Sequence, residues 1–145
     1  MNDKEFYENY QNTYGYMYET ECSLPFLFPH GLNIQDITRK WSQNALDSTF
    51  RSLTCLLVEH QYMPPKDNLL ILKELANFDP SNLDGYAIWE THQFHLTEKG
   101  VALVKDCNLN LDSEEVSPLF KAKLTAMFEE HGVGFEKKAF VPIQY

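Results

Sequence analysis

Phe94-His95-Leu96-Thr97-Glu98-Lys99-Gly100-Val101-Ala102-Leu103-Val104 changes its structural period at a single residue. Phe94, His95 and Leu96 alternate as a strand with one apolar face. Thr97 then offers a hydroxyl to the free N–H groups of a helix start, and Glu98 to about Val104 reads as a short helix. Leu96 anchors the strand to a core, and Gly100 leaves room for the helix to lie close against a neighbour. A strand that feeds a capped helix places the chain in the α+β class, with several helices and a small antiparallel sheet.

Working upstream, Gln93–Leu96 needs a partner strand. Tyr86-Ala87-Ile88-Trp89-Glu90 supplies one across a turn near Thr91-His92, with Asp84-Gly85 as a turn before it, so the middle of the chain reads as a hairpin. Before that, Asp67 caps a helix carrying Leu69, Leu70, Leu72 and Leu75, closing near Asn77 ahead of Asp79-Pro80. Pro64-Pro65 stops a longer amphipathic helix that starts at Ser42 and runs through Leu46, Phe50, Leu53, Leu56 and Leu57 to about His60 or Tyr62. Asn33 is a capping residue with Asp36 three positions on, and Ile34, Ile37 and Trp41 recur at helical spacing. Pro25–Gly31 reads as an apolar loop. At the start, Tyr7, Tyr10 and Tyr14 fall on one face of a short helix that Gly15 ends or bends.

Downstream, Asn108–Glu115 is a polar, acidic loop. Ser117-Pro118 is the clearest helix start, with Phe120, Leu124, Met127 and Phe128 as its apolar face and Gly132 as its stop. Its Lys121 and Lys123 come early and its Glu129 and Glu130 late, against the macrodipole, which fits residues that face a partner. Ala139–Ile143 reads as a terminal edge strand, since Pro142 cannot donate to a ladder. There is no repeat and no interdomain linker, so 1–145 is one domain.

Helix, helix, two-stranded hairpin and helix over 42–106, with Leu-Thr closing the strand and Gly100 in the fourth position from Thr97, resembles winged-helix proteins. That resemblance implies a recognition helix at 68–77 ahead of a wing, and as one reading a DNA-binding transcription regulator that gathers Lys66, Lys73 and Lys99 on one exposed face. The charges argue against nucleic acid. Over 42–106 the basic residues are Arg51, Lys66, Lys73, Lys99 and Lys105. Asp47, Glu59, Asp67, Glu74, Asp79, Asp84, Glu90, Glu98 and Asp106 outnumber them. Phosphate binding depends on neutralisation by cations. A winged-helix fold of this charge is expected to serve protein contact.

Composition agrees. The net charge is −9 over 145 residues, which favours encounter with a basic partner. No apolar run approaches the roughly 18 residues of a membrane span, and the acidic start differs from a signal peptide. Cys22, Cys55 and Cys107 are odd in number and far apart, so neither a disulfide framework nor paired zinc ligands is expected, and the setting reads as cytoplasmic. His92 and His95 on one strand would point to opposite faces, so no metal site is expected there. Cys55 sits in an apolar run as a small hydrophobe. No phosphate-cradling glycine loop or nucleophile–base pair is present, so the expectation is a protein that is not an enzyme and takes no cofactor.

In size, acidity and lack of catalytic motifs the chain is similar to the acidic immunity proteins that protect bacteria from nuclease toxins. The expected mechanism is occlusion of a basic active site, an antitoxin role, with aromatic anchors at the centre and carboxylates around them. The residues expected to make contact are Tyr7, Tyr10, Tyr14, Glu5, Glu8, Glu114, Glu115, Glu129 and Glu130. The oligomeric state stays open.

Overall fold

Asn2 starts the first helix. Its side chain accepts from Glu5 N at 2.9 Å while the Glu5 carboxylate accepts from Asn2 N, so two orphan donors are met at once. The computed structural model describes residues 1–27 and 33–145. From Asn2 run α1 (Asp3–Phe6), a π-helical turn (Tyr7–Gln11) and α2 (Asn12–Glu19). Then come α3 (Leu24–Leu27), α4 (Arg39–Thr54) and β1 (Val58–His60). The chain continues through α5 (Asn68–Ala76), α6 (Leu83–Thr91), β2 (Phe94–Leu96), α7 (Glu98–Asp106) and α8 (Pro118–Glu130). The class is α+β. Of the expected loop at Pro25–Gly31, the first part belongs to α3, and 28–31 lie outside the described residues.

The sheet differs from the expected hairpin. β2 pairs with β1, antiparallel, with Val58 opposite Leu96, Glu59 opposite His95 and His60 opposite Phe94. Residues 86–90 belong to α6, whose N-terminus is capped by Asn82 accepting from Gly85 N at 3.0 Å. Gly85 is a helix residue there, and a Cβ on it would meet the Asp79 carbonyl oxygen at 1.8 Å. Trp89 is fully buried one turn on, and its indole N–H donates to Phe78 O at 2.7 Å and Leu75 O at 3.1 Å, closing the end of α5.

Helix α4 begins at Thr38, whose hydroxyl accepts from Trp41 N, and it stops at Thr54, short of the expected His60. Leu56 turns the chain with φ 57°, a left-handed position where glycine is usual, and Leu57 N bonds back to Ser52 O at 3.0 Å. The Thr97 junction closes on this turn. Its hydroxyl accepts from Gly100 N at 3.1 Å and donates to Leu56 O at 2.6 Å, while Lys99 Nζ donates to Cys55 O at 2.8 Å. A Cβ at residue 100 would stand 2.1 Å from Leu57 O, so glycine is what lets α7 touch the turn.

Residues 139–143 form no strand; α4 side chains hold them instead. Gln43, Asp47 and Arg51, four apart on one helix face, grip the backbone of the segment after α8. Gln43 Nε2 donates to Val141 O at 3.1 Å and its Oε1 accepts from Ile143 N at 3.1 Å. Asp47 accepts from Ala139 N at 3.0 Å and Phe140 N at 3.2 Å. Arg51 donates to Val133 O, Gly134 O and Lys137 O, and its guanidinium lies 5.1 Å from the Phe140 ring centre. Phe140 in turn stacks on Phe50 at 4.5 Å. One hydrophobic cluster runs through the described residues from Phe6 to Val141.

Candidate functional site

The expected contact residues divide by position. Tyr10 and Tyr14 are buried in the core, which corrects their place on a contact surface. Tyr10 packs at 5.5 Å on Phe6 and at 5.4 Å on Phe128 and Phe135, and its hydroxyl accepts from Arg51 Nη1 at 2.9 Å. Tyr14 shares a 2.7 Å hydrogen bond with the Ser52 hydroxyl. The physical reason is that their side of the N-terminal helix meets α4 and α8, so the tyrosine stripe is largely core.

Tyr7 is half-buried and turns outward, into a cleft of about 250 Å³ between the N-terminal helix and residues 109–114. Glu114 lines the same cleft, so the fold brings these two expected residues together. Tyr16, Glu19 and Asp112 join them, and none of the three was expected from the sequence. The cleft lining contains no Lys, Arg or His among the described residues. Burial first, then the Glu114 carboxylate and Tyr16, raises the Tyr7 hydroxyl above its ordinary pKa. Its hydroxyl donates to Asn12 Oδ1 at 3.5 Å.

The far wall is fixed from the N-terminal helix. Gln11, buried, donates to Glu115 O at 2.8 Å and accepts from Ser117 N at 2.9 Å. The loop braces itself through Asn110 Oδ1, which accepts from Asp112 N, and Ser113 Oγ, which accepts from Glu115 N. Gly15 lines the near wall, where a Cβ would stand in ordinary contact with the Leu111 side chain at 3.4 Å. The π-helical turn falls on Tyr7–Gln11, a placement often seen beside functional sites. Two phenols, three carboxylates and side-chain amides make a concavity of acceptors and aromatic faces, chemistry that suits a cationic group.

The remaining expected carboxylates lie elsewhere. Glu5 belongs to the capping box, and with Glu8 it lines a separate groove that also holds Lys4 and Lys40. The exposed Glu115 contributes its backbone to the Gln11 clamp. Glu129 and Glu130 end α8, about 18 Å along its axis from Ser117 at 1.5 Å per residue. Early in that helix Lys121 pairs with Asp3 at 2.8 Å. The nine residues therefore do not form one patch.

The three lysines of the DNA-binding expectation are all exposed, Lys66 and Lys73 near and on α5 and Lys99 on α7 with its ammonium on Cys55 O. Among the described residues, no three His, Cys, Asp or Glu side chains group as metal ligands. His92 and His95 part company, His92 bonding His60 and Glu74 and His95 bonding Glu59. No helix among the described residues is long and apolar enough to cross a membrane. No protein-family model, curated protein or solved structure matches the chain.

Proposed function

We propose that this chain is a non-catalytic binding module for a basic protein, of the immunity or antitoxin type, which neutralises a partner such as a nuclease toxin by covering its active site. The observation that carries this reading is the cleft itself, where Tyr7 and Tyr16 stand with Glu19, Asp112 and Glu114 and no cation among the described residues lines the wall. A lysine or arginine of the partner enters there, its charge met by carboxylates and its stem or guanidinium plane by the phenol rings. The net charge of −9 steers the encounter from a distance. Three free, buried cysteines accord with a reducing, cytoplasmic setting.

The test is a low-salt pull-down from the source cytosol that scores retained protein and retained nucleic acid, repeated with Glu19→Gln/Glu114→Gln. One stoichiometric basic protein is expected, released by salt and held at least tenfold more weakly by the double variant. Retention of nucleic acid that survives moderate salt, with no protein partner, would overturn the proposal and favour a winged-helix regulator. A basic partner held equally well by the variant would move the contact away from the cleft.

A further inference from the structure

His60, His92 and Glu74 form a hydrogen-bonded chain whose direction is fixed at one end. His60 Nδ1 accepts from two backbone donors, Tyr62 N and Met63 N, each at 3.1 Å. It therefore carries no proton, and in the neutral ring the proton sits on Nε2. That N–H donates to His92 Nδ1 at 2.9 Å. With its Nδ1 accepting, His92 has its own proton on Nε2, which donates to Glu74 Oε2 at 3.2 Å.

Every ring nitrogen in this chain is used, so neither ring has a place for a second proton. A proton added to His60 Nδ1 would face the two backbone N–H groups it now accepts from. One added to His92 Nδ1 would face the His60 N–H. Either addition breaks at least one link. We infer that His60, His92 and Glu74 are a proton-sensitive latch that holds the 61–64 turn and the end of α6 against α5 while the His60 ring is neutral, and lets the turn go on acidification.

The location gives the latch something to release. It joins three elements distant in sequence, β1 through His60, the end of α6 through His92, and α5 through Glu74. The turn beside it displays Tyr62 at 80% exposure and Met63 at 39%. His60 itself is buried and lies edge-on to the Phe94 ring at 5.4 Å. The titratable groups around it are His92 and His95, with Glu74 behind His92 and Glu59 bonded to His95 at 2.7 Å. Burial first, then His92 and His95, lowers the His60 pKa, in keeping with a ring held neutral.

The full chain, labelled with ¹⁵N, provides the test through long-range imidazole correlations and amide exchange between pH 8 and pH 5. The expected result is His60 with its proton on Nε2 at pH 8. As the His60 ring protonates, protection of the Tyr62 and Met63 amides should fall at least tenfold relative to core amides such as Leu46. His60→Asn keeps an acceptor near the Nδ1 position and removes the titrating ring, so the extra loss should shrink below twofold. A His60 proton on Nδ1 would overturn the inference. So would unchanged Tyr62 and Met63 protection through ring protonation, and both readings come from the unmodified chain even if the variant folds poorly.

Discussion

Replacing Asp47 with Ala removes a buried carboxylate that accepts from Ala139 N, Phe140 N and Gln43 Nε2. Hydrogen bonds to a charged group contribute about 1.5–3 kcal/mol each, and a buried donor left without a partner costs about 1–3 kcal/mol. Ala139 is exposed and Phe140 half-buried, so water can reach the first freed N–H and partly the second. Gln43 Nε2 keeps its bond to Val141 O, so the loss is that of the two backbone bonds at the lower end of the charged range, about 3 kcal/mol in sum. For a chain of this size, that corresponds to a fall in Tm of about 10 °C. Asp47→Asn keeps the shape and one acceptor but turns an NH₂ group toward a backbone donor, so it should lose about 2 kcal/mol. Gln43→Ala gives up two neutral backbone bonds and its bond to the Asp47 carboxylate, and should lose about 1–2 kcal/mol. Urea unfolding ranks the three variants, and amide exchange at Phe140 locates the damage, with faster exchange there before global unfolding. If Asp47→Ala and Asp47→Asn both stay within about 0.5 kcal/mol of the parent, the range of a neutral surface change, the side-chain grip is not what holds 139–143.

Gly100→Ala should destabilise by about 2–4 kcal/mol or abolish soluble expression, because its Cβ would overlap the Leu57 carbonyl; thermal unfolding reads this directly. Leu56→Gly should gain up to about 1 kcal/mol by relieving the left-handed Leu56, and a lower Tm would mean that the half-exposed side chain packs more than the strain costs. Tyr14→Phe should lose about 1–2 kcal/mol of stability and leave partner capture intact, whereas Tyr7→Ala should leave the fold nearly unchanged and weaken capture. The lowered His60 pKa makes the unfolded chain bind more protons than the folded one below pH 6.5, so stability should be level above that pH and fall as pH drops through it. Urea midpoints at pH 8, 6.5 and 5 should show a smaller acid loss in His60→Asn, and equal losses in both proteins would remove His60 from the account.

Cap chemistry was legible because it is local. Thr97 and Ser117 each needed only a hydroxyl three residues before a free N–H, and both cap as read. The α+β class followed from the Thr97 junction. The strand partner did not, because Leu56-Leu57-Val58 continues the apolar run of α4 and the turn at Leu56 is made without a glycine. Tyr86–Glu90 fits alternation and helix equally over five residues. What decides it is the Asn82 cap and the approach of Gly85 to Asp79.

The candidate site was half visible for a related reason. Tyr7, Tyr10 and Tyr14 share one spacing, and only the positions of α4 and α8 determine which of them reach the surface. Glu114 stood out as loop charge, but Tyr16, Glu19 and Asp112 meet it because Gln11 clamps residues more than a hundred positions away. No window along the chain contains that contact. The Ala139–Ile143 segment misled for the opposite reason, since its β-branched residues suit a strand, but Ala139 turns left-handed at φ 54° and the hydrogen bonds go to the side chains of a helix.

The grip of α4 on the distal segment also sets an order of events during synthesis. Arg51 leaves the ribosome 82 residues ahead of Val133, the nearest of the backbone oxygens it will bind. Until that segment follows, the guanidinium has only the Tyr10 hydroxyl and the Asp47 carboxylate only the Gln43 amide as mates, and burying them underpaired is costly. Helices α5 to α8 can form and collide in the meantime, but α4 cannot seat fully among them. A chain stalled before residue 133 therefore waits in a loosened state open to proteases and chaperones, and its survival depends on how soon the distal segment arrives.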